Sequence, residues 1–334
     1  MKVLVVTNMY PSAERPHWGA FVRSQVESLE ALGVENVICE IEGWKSVARY
    51  AHALRSLPVI ARRHGVDLVH AHYGLSGAAA ASVRAVPLVV SFCGDDLLGR
   101  PDERGRITSR SRWLVSVSRI AARRADAVIV KTQEMRKKIP DIADVEVIPN
   151  GVDLARFAPV PREQARAQLG WPADGQVMLF AGTPEESRKN WPFAQEVEAR
   201  LKTSGLAARL VAFHDRPQEE LALAMSAADV LLLPSFHEGS PNVLKEAMAT
   251  SLPVVAAPVG DCAERLAGVS PGGVAPLEIG AFAGMVEKVL RAGTRSNGRE
   301  KVAPLELSAV AKRVLAVYER ALRQRSEQDQ RSAE

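Results

Sequence analysis

The chain has 334 residues, room for two domains of ordinary size, each with its own core. Its 47% hydrophobic and 25% charged residues are those of a globular protein, and the lack of any apolar run near ~20 residues excludes a membrane-spanning segment. The net charge of +4 is modest, and Cys39, Cys93 and Cys262, few and widely spaced, suit a reducing cytoplasm and exclude both a disulfide framework and a metal cluster.

In chain order, KVLVVTN reads as a first strand and not as a signal peptide, because no small-residue cleavage site follows it. In AFVRSQVESLEALG, Phe21, Val22, Val26 and Leu29 recur at helical spacing and Gly33 supplies a stop. NVICEIE, DLVHAHY, PLVVSFC, DAVIVKT and VEVIPN predict further strands separated by helical stretches. The HAH of the third strand has no partner ligands at metal spacing. Twelve basic residues fall between Arg100 and Lys138, and residues 1–150 hold 21 Lys and Arg against 16 Asp and Glu. That run is either a solvated face or a basic surface for an anionic membrane or a phosphorylated acceptor, each cation near lipid contributing ~1 kcal/mol. No nucleic-acid-binding motif accompanies it, so nucleic acid is not an expected partner.

The alternation restarts after NGVDLARFAPVPREQAR with QVMLFAG, ARLVAFH, ADVLLLPS, LPVVAAP and GGVAPL. Strand and helix in this order predict an α/β protein with parallel, doubly wound sheets covered on both faces. The expected domains are 1–153 and 154–305. A helix over 306–324 is expected to pack back across both, and 325–334 reads as a frayed polar tail.

The stretch PSFHEGSPNVLKEAMA, residues 234–249, sets two carboxylates around the turn between a strand and a helix. Open α/β sheets bind ligands at the carboxyl ends of strands. Ser240 and Pro241 suit an N-cap and first helical position, which would leave the amides of Asn242, Val243 and Leu244 free for an anion such as a phosphate. Glu238 and Glu246 on either side could accept hydrogen bonds from sugar hydroxyls, the layout of a nucleoside diphosphate sugar. Two surface glutamates on a solvated helix are the other reading of the same spacing.

The run EGSPNVLKEAMA resembles the E-x7-E signature of retaining glycosyltransferases of family 4 with the GT-B fold, matching at Glu238, Gly239, Pro241, Glu246, Ala247, Met248 and Ala249. VEVIPNGVDLARFAP, MLFAG with RKN, EELALAMSAADVLLLPS and LPVVAAPVGD follow the family in order, so the likeness covers nearly the whole chain. The resemblance implies two Rossmann-like domains facing a central cleft, with the acceptor on the first and the donor on the second. It assigns Glu246 to the ribose, Glu238 to the donor sugar, the peptide groups of Ser240–Val243 to the phosphates, and Lys189 and Gly19 to the diphosphate. Two positions depart from the family. Thr183 stands where an arginine usually follows FAG, leaving Arg188 as either its replacement or a solvated neighbour. Cys93 stands where the acceptor loop usually has histidine, although Asp96 is retained; His72 lies on the same acceptor side.

The expectation is a retaining hexosyltransferase, cytoplasmic and peripheral on the inner face of the cell membrane. It would move sugar from a UDP- or GDP-sugar to a saccharide or lipid-linked acceptor in surface polysaccharide or glycolipid biosynthesis. Catalysis is expected to rest on Glu238, Lys189 and Arg188, without a metal or cofactor, because the spacing of GDD at 94–96 does not suit a metal. A catalytically silent nucleotide-sugar-binding partner and a nucleotide-sugar epimerase are the alternatives.

Overall fold

The structure, a computed structural model, describes residues 1–15, 17–100 and 106–333, the side chains of residues 332 and 333 excepted. Its contacts divide it into two compact units. The first comprises Met1–Ser12, Trp18–Gly151 and Leu307–Glu334; the second comprises Ala13–His17 and Val152–Glu306.

The first unit runs β1 (Lys2–Thr7), α1 (Ala20–Glu30), β2 (Glu35–Glu40), α2 (Ala48–His64), β3 (Leu68–His72), α3 (Gly74–Ala80), β4 (Leu88–Ser91), α4 (Asp95–Leu98), α5 (Ser109–Arg124), β5 (Ala127–Val130), α6 (Gln133–Lys137) and β6 (Val145–Val147). Its six strands are parallel in the order β2-β1-β3-β4-β5-β6. Leu4, Val6, Val69, Ala71, Val90, Phe92, Val128 and Val130 form one buried face of that sheet, against Leu57, Ala79 and Ala122 of the helices. Strands buried on both sides read as unbroken apolar runs, which is why each was recognisable.

The second unit runs α7 (Arg162–Leu169), β7 (Gln176–Ala181), a 3-10 turn (Ser187–Lys189), α8 (Trp191–Thr203), β8 (Ala208–Phe213), α9 (Gln218–Ala227), β9 (Val230–Leu233), α10 (Asn242–Ala249), β10 (Val254–Ala256), α11 (Cys262–Arg265), β11 (Gly273–Val274), α12 (Ile279–Ala292), α13 (Gly298–Val302) and a 3-10 turn (Ala303–Leu305). Its five parallel strands lie in the order β11-β10-β9-β7-β8. Chain order therefore reverses direction between β7 and β9, a switch point at which successive loops leave the sheet toward opposite faces and open a crevice.

An aspartate sets the strand register three times. Asp67, Asp126 and Asp229 each give their amide to the carbonyl of the neighbouring strand's first residues and accept that strand's amide on the carboxylate: Lys2 at 2.7 Å, Leu88 at 2.7 Å and Val177 at 2.7 Å. A slip by one residue would turn both faces of these sheets inside out, so a doubly bonded starting point is a strong constraint.

The last helix, α14 (Leu307–Ala333), belongs to the first unit and buries Val310, Val314, Val317, Tyr318 and Ala321. It corrects the expected frayed tail, because 325–333 is helical. Arg325 donates to the Arg84 carbonyl at 2.9 Å and pairs with Asp329 four residues on at 3.4 Å, anchoring what composition alone reads as loose.

Candidate active site

At the switch point of the second unit, the loop after β7 and the loop after β9 are bonded to each other. The Phe236 amide donates to the Arg188 carbonyl at 2.9 Å, and Asn190 Nδ2 donates to the Pro234 carbonyl at 3.1 Å. Asn190 adopts φ 61°, a left-handed turn that asparagine tolerates better than most residues, so the 3-10 turn closes and α8 begins at once. These bonds bring Arg188 and Lys189 onto Glu238.

Glu238 is buried, 7% exposed, and fully engaged. Lys189 Nζ donates to Oε1 at 2.8 Å, Ser235 Oγ donates to the same oxygen at 2.9 Å, and an Arg188 NH group lies 2.7 Å from Oε2. Burial pushes the carboxyl pKa up, but Lys189 and Arg188 outweigh it and hold the group below its ordinary value, so it stays ionised. Arg188 also donates to Glu186 at 2.8 and 3.0 Å and to the His237 carbonyl at 3.3 Å. It is thus ion-paired, not a solvated neighbour. Thr183 contributes no charge; its carbonyl accepts the Glu186 amide at 3.0 Å and so shapes the loop that carries Arg188.

The start of α10 differs from expectation. The helix begins at Asn242 with Pro241 at the cap position, and no side chain caps it. Ser240 lies one residue before the cap position, and its hydroxyl donates to Asp261 Oδ2 at 2.9 Å, an oxygen that also accepts from Arg265 at 2.9 Å. The turn is braced from a third loop, after β10. The Asp261 amide donates to the Gly239 carbonyl at 3.1 Å, and Gly260, at φ +54°, passes so close that a Cβ would sit 2.0 Å from that oxygen. Glycine is required there both for conformation and for space.

Glu246 lies one helical turn into α10 and is half-buried. Burial raises its carboxyl pKa to about 7 against the opposing effects of Lys245, Arg156 and Lys189. Among the described residues no side chain or amide donates a hydrogen bond to its carboxylate. Lys245, next to it, is buried with Nζ 3.4 Å from Ser240 Oγ. The structure therefore gathers Lys189, Arg188, Glu238, Gly239, Ser240, Pro241, Asn242, Val243 and Glu246 around one switch point. Ser235, Asp261, Gly260 and Lys245 are additions that the sequence reading did not single out. The Gly-Asp of LPVVAAPVGD was the available signal for two of them.

The remaining expected residues lie in the first unit. Gly19 stands at the start of α1 with φ +72°, where a Cβ would be 2.4 Å from the Met9 carbonyl oxygen. His72 ends β3, and Cys93 and Asp96 follow β4. Asp96 is wholly buried, and its carboxylate accepts from the amides of Gly74 (3.0 Å), Cys93 (3.0 Å) and Gly94 (2.8 Å). Desolvation nevertheless lifts its pKa to about 6. All these bonds go to backbone, so Asp96 shapes this loop. Burial, the largest influence, pushes the Cys93 thiol well up, keeping it neutral. The basic run is heterogeneous. Residues 101–105, including Arg104, lie outside the described residues. Lys131 is buried, whereas Arg110, Arg112, Arg119, Arg123 and Arg124 are exposed on α5 beside Trp113 and Ile120, both more than half exposed. Among the described residues no helix is long and apolar enough to cross a membrane, and no group of three or more His, Cys, Asp or Glu could hold a metal ion.

Two parallel-sheet α/β units of this order are also the architecture of solved structures that align along nearly the entire chain. Sucrose-phosphate synthase from Thermosynechococcus elongatus superposes with TM-score 0.75 at 20% identity, over 96% of this chain and 99% of its own. Anabaena HepE, solved with UDP and glucose, gives 0.68 at 19% over 96% and 99%. The fold is GT-B.

Residues 1–156 match the model of Glycosyltransferase Family 4 and residues 165–292 that of Glycosyl transferases group 1. TuaC of Bacillus subtilis, a glycosyltransferase with an inferred role in teichuronic acid biosynthesis, is 27% identical over 78% of this chain and 82% of its own. The D-inositol 3-phosphate glycosyltransferase of Kineococcus radiotolerans is 34% identical over 60% of this chain, and this chain spans about half (55%) of that relative's length. The chain belongs to the family 4, group 1 glycosyltransferases.

Proposed function

We propose that this glycosyltransferase moves a sugar, with retention, from a nucleoside diphosphate sugar to a saccharide or lipid-linked acceptor in surface polysaccharide or glycolipid biosynthesis. The observation that carries the reading is the Lys189–Glu238–Arg188 cluster beside the uncapped start of α10, with Glu246 one turn further on. An uncapped helix start offers amide donors and a positive partial charge to phosphate. Lys189 stands beside it, and an ammonium has three donors, so it can hold Glu238 and a phosphate oxygen together. As the bond to the anomeric carbon breaks, charge gathers on the leaving diphosphate, and such preorganised donors lower the barrier by ~3–4 kcal/mol each. Glu238, ionised, would accept hydroxyls of the donor sugar, and Glu246 those of the ribose. No step in this scheme requires a metal.

UDP is the first choice of nucleotide, because HepE was solved with UDP, UDP-glucose and glucose; GDP remains the second. The relationship to TuaC supports a polysaccharide acceptor. A peripheral seat on an anionic membrane surface, through the Arg100–Lys138 segment, is favoured by Trp113 and Ile120 exposed among the arginines of α5.

Incubation with a panel of UDP- and GDP-sugars in the presence of EDTA tests this. Release of nucleoside diphosphate and free sugar, quickened by the right acceptor, is expected, and the product's anomeric configuration follows by NMR. A sugar altered within the nucleotide pool would point to an epimerase. Nucleotide binding without any turnover would point to a silent partner.

A further inference from the structure

At the carboxyl edge of the first unit's sheet, strand alternation puts His70 and His72 of β3, Ser91 of β4 and Ile129 of β5 on one face. It continues through Cys93 and Lys131 just past the strand ends. His72 pairs with Ser91 and Ser91 with Ile129 in the register, so the six residues occupy neighbouring positions. The inner part of this row is satisfied: His70 bonds Tyr318 of α14 at 2.6 Å and Ser91 at 2.8 Å. The outer part is not. His72, its ring tilted 38° to that of His70 with centroids 4.2 Å apart, is 1% exposed and its Nδ1 has no hydrogen-bond partner. Lys131 is 2% exposed, and among the described residues it forms neither an ion pair nor a side-chain hydrogen bond. Asp96, the nearby acid, has both oxygens committed to the amides of Gly74, Cys93 and Gly94. Burial lowers the pKa of Lys131, and His72, whose pKa falls to about 3 by burial and then by Lys131, is neutral. Asp96 favours the charge on Lys131 without bonding it, and burial outweighs that help; a buried cation with no direct ion pair is expensive, as is a buried ring nitrogen without a partner. Cys93, half-buried, stands at the outer end of the row.

We infer that Lys131 and His72 form an anion subsite for the acceptor, binding an oxyanion, carboxylate or phosphate, on the acceptor molecule. The ammonium supplies the charge and His72 a neutral Nδ1 donor, in the tautomer that carries its proton there. This rests on reading the first unit as the acceptor side of a glycosyltransferase.

The test uses the full chain and measures binding of glucose, glucuronate, glucose 6-phosphate and UDP by calorimetry or ligand-observed NMR. The wild type should bind one or both anionic sugars about 10-fold or more tightly than glucose, the range of a charge-assisted hydrogen bond. Preference for glucuronate alone assigns a carboxylate, and for glucose 6-phosphate alone a phosphate. Lys131→Met should erase the preference while leaving UDP affinity unchanged, which also certifies its folding, and should melt higher than wild type because a buried charge has gone. Lys131→Gln serves if the methionine variant does not fold. No preference for either anion in the wild type, or a preference that survives both variants, overturns the inference. If the preference depends on Lys131 but neither UDP nor GDP, added in the same assay, binds, the donor reading fails while the anion subsite itself stands.

Discussion

Replacing Glu238 by glutamine changes one oxygen into an amide nitrogen and leaves the volume alone, so its effect isolates charge. In the wild type the carboxylate sits 2.8 Å from Lys189 and 2.7 Å from Arg188, with all three side chains no more than 21% exposed. Breaking a buried pair by neutralising one partner typically costs about 3–5 kcal/mol. Arg188 keeps Glu186 at 2.8 Å, so the low end, about 3 kcal/mol, is expected. For a unit of this size that lowers the melting temperature by roughly 6–12 °C at pH 7. The pH dependence carries a sign. The folded pKa of Glu238 lies below its unfolded value of about 4.3, so the unfolded chain binds more protons in acid. Its stabilisation is therefore complete above the unfolded pKa and disappears as pH falls through the folded one. Urea unfolding of wild type and Glu238→Gln across pH 3–7 should give a gap that is widest at neutral pH and closes in acid. A gap that stays constant with pH, or a variant as stable as wild type at pH 7, would refute the charge argument.

Glu246→Gln should weaken UDP binding. With the wild-type carboxyl near 7, the ratio of wild-type to variant affinity should climb between pH 6 and 8; a flat ratio in calorimetry counts against ribose as its partner. Lys189→Ala should lower turnover about 100-fold or more, and Arg188→Ala less; unchanged turnover of the lysine variant on the true donor and acceptor would remove the proposed mechanism. Ser251 holds φ 57° after α10, so Ser251→Gly should stabilise by about 1 kcal/mol, whereas Gly260→Ala should destabilise and reduce UDP affinity, both readable by thermal unfolding with and without UDP. If α5 lies on anionic lipid, vesicle sedimentation should be lost on charge reversal at Arg119 and Arg123 and should weaken steeply with salt.

The strands were legible because parallel, doubly covered sheets demand continuous apolar runs, and the halves were legible because the pattern restarts. The pair Glu238 and Glu246 was visible as acids bracketing a strand-to-helix turn. Their difference was not, since it comes from burial with two cations bonded to the carboxylate in one case and with cations only at longer range in the other. The helix cap was misjudged because a local rule set Ser240 at the cap position, whereas the helix begins one residue later with Pro241 there, and Ser240 instead bonds Asp261, 21 positions on. Lys131 was counted with a basic surface because a lysine at a strand end ordinarily faces water. Only the register reveals that it continues the His72–Ser91 face into the interior.

The inventory of donors around Glu238 separates two cations that sequence alone could not rank. Arg188 has five N–H donors in a fixed fork, and the structure spends them on Glu186 twice, on Glu238 and on the His237 carbonyl. A guanidinium committed in this way fixes the carboxylate and has little left for a ligand. Lys189 gives one bond to Glu238 and keeps the freedom of a rotating ammonium. The carboxylate thus aims the lysine, and the arginine aims the carboxylate. On the proposed reading, a diphosphate at the start of α10 would find an ammonium already held by Glu238, itself kept ionised. If the proposed donor site is right, the loss of the family's arginine at Thr183 would be compensated indirectly, by a neighbour that holds the acid in place and leaves the contact with the phosphate to Lys189.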